Sequence, residues 1–263
     1  MALVPEGSLE HVEDEAFIIV KAAPRASQTY GETVCIAAID HNGCWVRLYP
    51  VSFRDLSDAQ QFGRWDRITY RWRKPTAAAD RRVESRRVDQ GSIVITGKMR
   101  DSDRHAFLNR AAVTSLKAER EKDRSLAVLR CEILEFWPER QSAEEMERQR
   151  AVYDGMRQQS DFFSQANLIP REACPFVFKY RYRDDDGVHV GTCQDWETEA
   201  TFLRRRGEMH SEQAALDWMV QRFGVEFPRD GMALAMGTHR YRADQWLING
   251  VLRMKPTNQM TML

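Results

Sequence analysis

The stretch from Thr33 to Leu56 constrains the fold more than any other part of the sequence, because it predicts a β-hairpin. Its first half is an almost continuous apolar run, typical of a strand buried on both faces, and His41-Asn42-Gly43 supplies the turn. The returning strand alternates, so that one face belongs to a core and the other carries Trp45, Arg47 and Tyr49. That second face is either the amphipathic edge of a core or a surface on which a planar ligand stacks.

Two further strands repeat this alternation of aromatic and cationic side chains, around residues 68–73 and 176–183. Single-stranded nucleic acid is held by basic grooves in which bases stack on aromatic rings, at roughly 1 to 3 kcal/mol per base. The predicted nucleic-acid-binding residues are therefore Trp45, Arg47, Tyr49, Arg71, Arg73, Lys179, Arg181 and Arg183. The alternative is that the aromatic side chains form cores and the cations are merely the solvent-facing side of half-buried strands.

The charge balance requires any nucleic-acid site to be local. The chain has 39 basic and 39 acidic residues, so no overall field attracts it to nucleic acid or to an anionic membrane. Residues 64–104 are the most basic segment, with twelve Lys or Arg against six acidic residues. The partner predicted on these grounds is single- or double-stranded nucleic acid.

The pattern of elements predicts an α+β protein with two β-rich, mostly antiparallel halves that could close into barrels, with helices between them. The predicted divisions are an acidic leader (1–15), an N-terminal β-rich domain (16–138), a helical connector (139–169), a C-terminal α+β domain (170–255) and a tail (256–263). A capping box at Ser142 and Glu145 opens a charged helix over 142–159. Its thin apolar stripe suits contact with a protein partner or a second copy of the chain.

Several classes of protein are excluded by what the sequence lacks. No run approaches the roughly 18 apolar residues of a membrane span, and the polar, acidic start does not resemble a signal peptide. Five widely spaced cysteines favour free thiols over a disulfide framework, so we expect a soluble, cytoplasmic protein without a membrane partner. The phosphate-binding, dinucleotide-binding and serine-hydrolase motifs are missing as well, and no cofactor is predicted.

An enzymatic alternative rests on Asp195, Glu197 and His239, since two carboxylates and an imidazole suit acid–base or metal-assisted hydrolysis. The preferred interpretation is that Asp195 is the N-cap of a helix and His239 a loop residue. Cys174, His189, Cys193 and His210 have the side-chain types of a zinc site. They lack the closely spaced cysteine pair that marks such sites, so no metal is predicted.

These motifs also carry a resemblance. Tyr30-Gly31-Glu32-Thr33-Val34-Cys35 and Trp45-Val46-Arg47-Leu48-Tyr49-Pro50, with Asp195-Trp196-Glu197 and Gly237-Thr238-His239, resemble a family of uncharacterised bacterial proteins found in mobile-element and defence neighbourhoods. The opening is also similar to proteins with dual OB (oligonucleotide-binding) domains, although Cys35-Ile36-Ala37-Ala38 departs from their pattern. The resemblance implies no assigned activity and points only towards nucleic acid.

The predicted function is therefore that of a nucleic-acid-binding accessory protein of a bacterial defence or mobile-element system. A hydrolase acting on nucleic acid or nucleotides is the first alternative. A protein-interaction subunit that uses the 142–159 helix is the second.

Overall fold

The computed structural model describes residues 11–21, 25–27, 31–51, 56–76, 80–151, 173–239 and 242–254, and it is α+β as the sequence predicts. Its strands are β1 (Val12–Lys21), β2 (Arg25–Ser27), β3 (Gly31–Asp40), β4 (Trp45–Val51), β5 (Asp66–Arg73), β6 (Ser85–Lys98), β7 (Ala112–Val113), β8 (Leu126–Leu129), β9 (Glu132–Arg140), β10 (Phe176–Asp184), β11 (Gly187–Cys193), β12 (Met232–His239) and β13 (Arg242–Arg253). The helices are α1 (Asp101–Ala111), α2 (Leu116–Glu121), α3 (143–151), α4 (Trp196–Met209), α5 (Glu212–Met219) and α6 (Phe227–Asp230). A 3-10 turn covers Asp58–Gln60, and a π-helical segment, Val220–Glu226, joins α5 to α6.

The first sheet closes into a five-stranded barrel, because β1 pairs with both β5 and β3. Around the barrel the strands follow the order β1, β3, β4, β6, β5, and β2 extends the edge of β3. All these pairs are antiparallel except β4 with β6. Alternate side chains fill the barrel with an apolar core that includes Ile18, Ile36, Leu48 and Ile68.

The predicted hairpin is the β3–β4 pair of this barrel, and it is confirmed. Asp40 holds the turn, since its Oδ1 accepts hydrogen bonds from the backbone N–H groups of Asn42 (2.9 Å) and Cys44 (2.8 Å). Gly43 has a φ of 79°, a left-handed conformation that glycine adopts without steric cost. Val46 and the neighbouring apolar residues of β4 point into the barrel, as the alternation predicts.

The second sheet has seven strands in the order β7, β8, β12, β13, β11, β10, β9. Only β7–β8 and β11–β13 are parallel. One face packs against α4, α5 and the π-helical segment, where Phe178, Tyr180, Phe202, Met219 and Phe223 form the largest core cluster. The prediction of mostly antiparallel sheets is thus confirmed for both halves.

The other face of the second sheet packs on the outside of the barrel. Ile19 and Ile39 of the barrel meet Val128, Ala235 and Leu252 of the sheet in a shared apolar cluster. Each fully buried aliphatic side chain contributes roughly 1.5 to 3 kcal/mol, so this contact joins the two halves firmly.

One glycine permits that close contact between the halves. A Cβ at Gly250 of β13 would come within 2.7 Å of the Val20 side chain of β1. Any larger residue there would push the sheet away from the barrel.

In the structure, the boundary between the two β-rich halves lies earlier in the chain than the predicted boundary. The predicted N-terminal domain runs to residue 138, but β8 and β9 lie in the second sheet beside β12 and β10. The change of sheet therefore falls between α1 and β7, near residue 112. The predicted leader is also shorter, since β1 begins at Val12, and the tail from 256 lies outside the described residues.

Other expectations concern membranes and thiols. In the described ranges, none of the helices combines the length and the apolar character needed to cross a bilayer. Cys44, Cys131, Cys174 and Cys193 are thiols that are not joined in disulfides, and Cys44 is exposed whereas Cys174 and Cys193 are buried. Burial raises the pKa of both Cys131 and Cys193 to about 12, which keeps these two thiols neutral.

Candidate nucleic-acid interface

Three neighbouring strands of the barrel bring an aromatic ring and two guanidinium groups into one row. Tyr49 of β4 lies beside Arg87 of β6, and Arg87 lies opposite Arg73 of β5. The adjacent residues Leu48 and Val88 point into the barrel core, so alternation places this row on the outer surface. Arg71 of β5 and Lys74, which directly follows β5, are close to Arg73 in the chain. We call Tyr49, Arg71, Arg73, Lys74 and Arg87 together the basic row.

The basic row carries more positive than negative charge. Arg71 Nη2 lies 2.7 Å from Asp89 Oδ2, in a half-exposed ion pair across β5 and β6. Arg73 and Arg87 face each other directly, an arrangement that disfavours strand pairing because like charges repel. Lys74 is exposed at the end of β5. The row is therefore a surface to which an anion would be attracted.

Trp45 and Arg47 are also on β4 and point to the same side, but the second sheet covers them. Trp45 packs against the apolar cluster between the two halves. Arg47 is 4% exposed, and its Nη2 donates hydrogen bonds of 3.2 Å to Oγ and to the carbonyl oxygen of Ser125. Glu84 accepts from the same serine, at 2.6 Å from its N–H and 2.9 Å from Oγ. Trp45 and Arg47, both predicted to bind nucleic acid, instead stabilise the contact between the barrel and the second sheet.

The three predicted cations of β10 form a ladder of ion pairs with β9, which we call the β9–β10 ladder. Lys179 Nζ lies 2.6 Å from Glu139 Oε2, Arg181 Nη1 lies 3.2 Å from Glu135 Oε2, and Arg183 Nη1 lies 2.7 Å from Glu132 Oε2. Each cation thus has its own carboxylate on the neighbouring strand. The ladder is close to neutral and offers little attraction to a phosphate backbone.

The eight predicted binding residues therefore do not lie on one continuous surface. The structure brings together Tyr49, Arg71 and Arg73 on the barrel, covers the other two residues of β4, and places the β10 cations on a different sheet. The sequence analysis selected neither Lys74 nor Arg87, and Arg87 lies at the middle of the row. Its signal was the excess of basic residues over 64–104, but only the register of β6 shows that it joins Tyr49 and Arg73.

The proposed catalytic carboxylates, buried Asp195 and exposed Glu197, both pair with Arg64 and so link the two halves. Asp195 is 2% exposed and is the N-cap of α4, since its Oδ1 accepts a 3.1 Å hydrogen bond from the Glu197 N–H. Arg64 Nη2, from the turn before β5, lies 3.3 Å from the Asp195 carboxylate and 3.2 Å from Glu197 Oε2. Burial opposes the charge of Arg64, but these two carboxylates raise its pKa. The N-cap interpretation of Asp195 is confirmed.

His239 lies far from these carboxylates. Asp195 Oδ2 accepts a 3.0 Å hydrogen bond from the Val251 N–H of β13, whereas His239 pairs with Arg242 at the other end of that strand. Nine residues of extended strand span about 30 Å, at 3.3 Å per residue. The structure therefore does not bring the imidazole and the two carboxylates into one site.

The zinc-type residues do not gather either. Among the residues that the structure describes, no group of three or more His, Cys, Asp or Glu side chains is placed to hold a metal ion. His189 Nε2 instead lies 2.8 Å from Asp184 Oδ1, and Cys193 Sγ lies 3.8 Å from Thr198 Oγ1. Cys174 and His210 join neither contact.

The predicted capping box is present at the start of α3. Ser142 Oγ accepts a 3.1 Å hydrogen bond from the Glu145 N–H, and Glu145 Oε2 accepts one of 3.0 Å from the Ser142 N–H. Most of the helix is exposed as far as residue 151, and the rest of 142–159 lies outside the described residues. Its role in binding a partner stays a prediction.

Comparison with known families agrees with the two-part architecture. Residues 12–114 match the family described as Domain of unknown function (DUF8758), and residues 109–262 match Domain of unknown function (DUF8757). The two matches meet where α1 ends and the chain leaves the barrel for the second sheet. None of the curated proteins matches the chain. Because the second match covers more than half of its length, the chain belongs to the DUF8757 family, and a DUF8758 domain precedes that region.

Proposed function

We propose that the protein binds single-stranded nucleic acid through the basic row of its barrel. The observation that carries the proposal is the register that holds Arg73 and Arg87 opposite each other beside Tyr49 on the outer surface. Cations in directly opposite register positions disfavour strand pairing, and a phosphate backbone beside them offsets that effect. The tyrosine ring supplies a face on which a base can stack.

The strand order of the barrel supports the same function. A closed five-stranded barrel with the order β1, β3, β4, β6, β5 and a parallel β4–β6 pair is the arrangement expected of an OB-fold, and this likeness supports the proposal. Such barrels bind oligonucleotides on their second and third strands, between the loop after the first strand and the loop before the fifth. In this chain those strands are β3 and β4, and the second loop joins β5 to β6. Fold alone does not establish function, so the basic row carries the argument.

The size of the uncovered surface favours one strand over a duplex. The second sheet covers the part of β4 that carries Trp45 and Arg47. From Tyr49 to Arg73 the basic row crosses three strands, which is about 10 Å at an interstrand spacing of 4.8 Å. That width suits one sugar–phosphate backbone, so the proposal is for a single strand.

The test compares two matched charge reversals in a fluorescence-polarisation titration with single-stranded DNA and RNA. Arg73→Glu alters the basic row, and Arg181→Glu alters the half-exposed middle of the β9–β10 ladder. We expect Arg73→Glu to weaken binding by about tenfold or more, because it removes one charged contact and adds repulsion. We expect Arg181→Glu to leave the affinity almost unchanged.

Salt dependence provides the second readout. Each phosphate contact on a single strand adds about 0.7 to the slope of log affinity against log salt, so Arg73→Glu should flatten this slope by about that amount. Equal effects of both substitutions, or tight binding that salt does not weaken, would contradict the proposal. Duplex binding stronger than single-strand binding would contradict the choice of strand. A place in a defence or mobile-element system stays a prediction.

A further inference from the structure

A second concave surface lies between helix α1 and the barrel, at the opposite end of β5 from the basic row. It is a cleft of about 1200 Å³. One wall is the face of α1 that includes Phe107 and Arg110, and the other includes Phe17 of β1 and Arg67 of β5. Arg67 precedes Arg73 by six residues, so about 20 Å of strand separates the cleft from the basic row.

Cations outnumber carboxylates in the lining of this cleft. The charged lining residues are Arg67, Lys98, Arg100 and Arg110 against Asp40 and Asp103. Asp40 is 9% exposed and serves the β3–β4 turn through its hydrogen bonds to backbone N–H groups. Asp103 lies 2.9 Å from Arg100. Among the lining residues themselves, cations therefore exceed carboxylates by two.

The lining cations other than Arg100 are accessible to a ligand. Lys98 lies 3.2 Å from Asp66, and its side chain is 59% exposed. Arg67 lies 3.7 Å from Glu15, and its side chain is 42% exposed. These two cations therefore hold a phosphate only together with a cation that has no carboxylate partner of its own, alongside their own ion pairs. Arg110 is exposed, and within the described part of the chain it makes no ion pair. Its guanidinium lies 5.9 Å from the centre of the Phe107 ring.

The two walls also meet in an aromatic pair. The rings of Phe17 and Phe107 are 5.6 Å apart and nearly perpendicular, at 70°, and both side chains are half-buried. Aromatic rings in this geometry leave an apolar surface against which another planar ring can pack. The cleft thus combines a site for a ring with a site for an anion.

We infer that this cleft binds a nucleotide, with its base against Phe17 and Phe107 and its phosphates among Arg67, Lys98 and Arg110. The volume is ample for such a ligand, since small-molecule sites occupy about 300 to 1000 Å³. A free nucleotide and the phosphorylated end of an oligonucleotide share this chemistry. The inference is independent of the proposed function, because the cleft and the basic row have no residue in common.

Isothermal titration calorimetry of the full chain tests the inference, with ATP as the probe and with adenosine and inorganic triphosphate as its two parts. We expect ATP to bind more tightly than about 1 mM, and each part to bind about tenfold more weakly. Arg110→Glu and Lys98→Glu replace exposed side chains, so the fold should be kept, and each should weaken ATP binding by about tenfold. Arg73→Glu in the basic row should leave ATP binding unchanged.

A 5′-phosphorylated dinucleotide separates the two sources of the ligand. Tighter binding than ATP, with the same sensitivity to Arg110→Glu, identifies the end of a nucleic acid, and the opposite order identifies a free nucleotide. Binding of neither probe at millimolar concentration overturns the inference. It is equally overturned if Arg110→Glu and Lys98→Glu have no effect, or if Arg73→Glu abolishes ATP binding while they do not.

Discussion

Strands β5 and β10 have nearly the same sequence pattern, yet their outer faces differ in charge. Each strand points aromatic side chains into a core and cations outward. On β10 every outward cation meets a glutamate of β9. On β5, Arg71 meets Asp89 but Arg73 meets Arg87, both on β6. The difference is made entirely by the neighbouring strand.

This comparison shows what decides whether a cationic strand can bind an anion. A cation that already has a carboxylate on the next strand must exchange one ion pair for another, with little net gain. A cation whose cross-strand neighbour is another cation has no carboxylate at that position, so an added anion gives a larger gain there. The basic row and the β9–β10 ladder therefore differ mainly in how their cations are paired. Substitutions that change this pairing in either surface test the comparison.

The largest expected effect on stability concerns the buried ion pair between Arg64 and Asp195. Asp195→Ala should lower the free energy of unfolding by about 3 kcal/mol or more, because it leaves the Arg64 guanidinium buried without its main partner and removes the α4 cap. Urea denaturation measures the change. Asp195→Asn is the matched control, since asparagine still caps a helix and should recover part of the loss. An unchanged stability would contradict the structural role and return Asp195 to the catalytic hypothesis.

The next effect concerns the ion pair that leads into β6. Asp80 accepts hydrogen bonds from Arg82 (2.7 Å) and from Ser85 Oγ (2.7 Å), and Arg82 Nη1 also donates to the Thr238 carbonyl oxygen of the second sheet (3.2 Å). Asp80→Ala should cost about 2 kcal/mol, the usual value for hydrogen bonds to a charged group. It should also weaken oligonucleotide binding slightly, since β6 positions Arg87 in the basic row.

Acid provides an independent check on Asp80. Burial alone would raise its pKa, but the hydrogen bonds from Arg82 and Ser85 outweigh burial and lower it. The stability that Asp80 contributes is therefore complete above the pKa of an unfolded aspartate, about 3.9, and is lost as the pH falls through the lower folded value. The difference in unfolding free energy between wild type and Asp80→Ala should be constant near neutral pH and shrink below about pH 4. A difference that grows in acid would contradict this assignment.

Local features were predictable from the sequence, and neighbours in space were not. The β3–β4 hairpin, the capping box at Ser142 and the Asp195 cap depend on residues within a few positions of each other, so their patterns are visible in the chain. The partner of Lys179 is 40 residues away, and nothing in β10 itself indicates that β9 supplies a glutamate. The burial of Arg47 likewise depends on a sheet formed later in the chain. The alternation of side chains along each strand predicted which cations point outward. The pairing of neighbouring strands determines which of these cations face a carboxylate.

Removing the carboxylates of the ladder should make it resemble the basic row. Replacing Glu132, Glu135 and Glu139 together by Gln leaves Lys179, Arg181 and Arg183 without partners. These pairs are exposed, so the cost in stability should be at most about 1 kcal/mol for each. The variant should gain salt-sensitive binding to single-stranded DNA, with a slope steeper by up to about 2 if all three cations contact phosphates. If binding does not rise, ion pairing is not what keeps the ladder from binding nucleic acid.

The smallest effect has the opposite sign, and it tests the origin of the basic row. Arg73→Glu places a carboxylate opposite Arg87, so it should raise the free energy of unfolding by about 0.5 kcal/mol even as it weakens nucleic-acid binding. Arg71→Glu is the control, because it sets a glutamate against Asp89 and should lower stability by a similar amount. Urea denaturation of both variants at low salt gives the comparison. Higher stability together with weaker binding in Arg73→Glu is expected only if Arg73 repels Arg87 and contributes to ligand binding. Lower stability in Arg73→Glu would mean that Arg73 stabilises the fold.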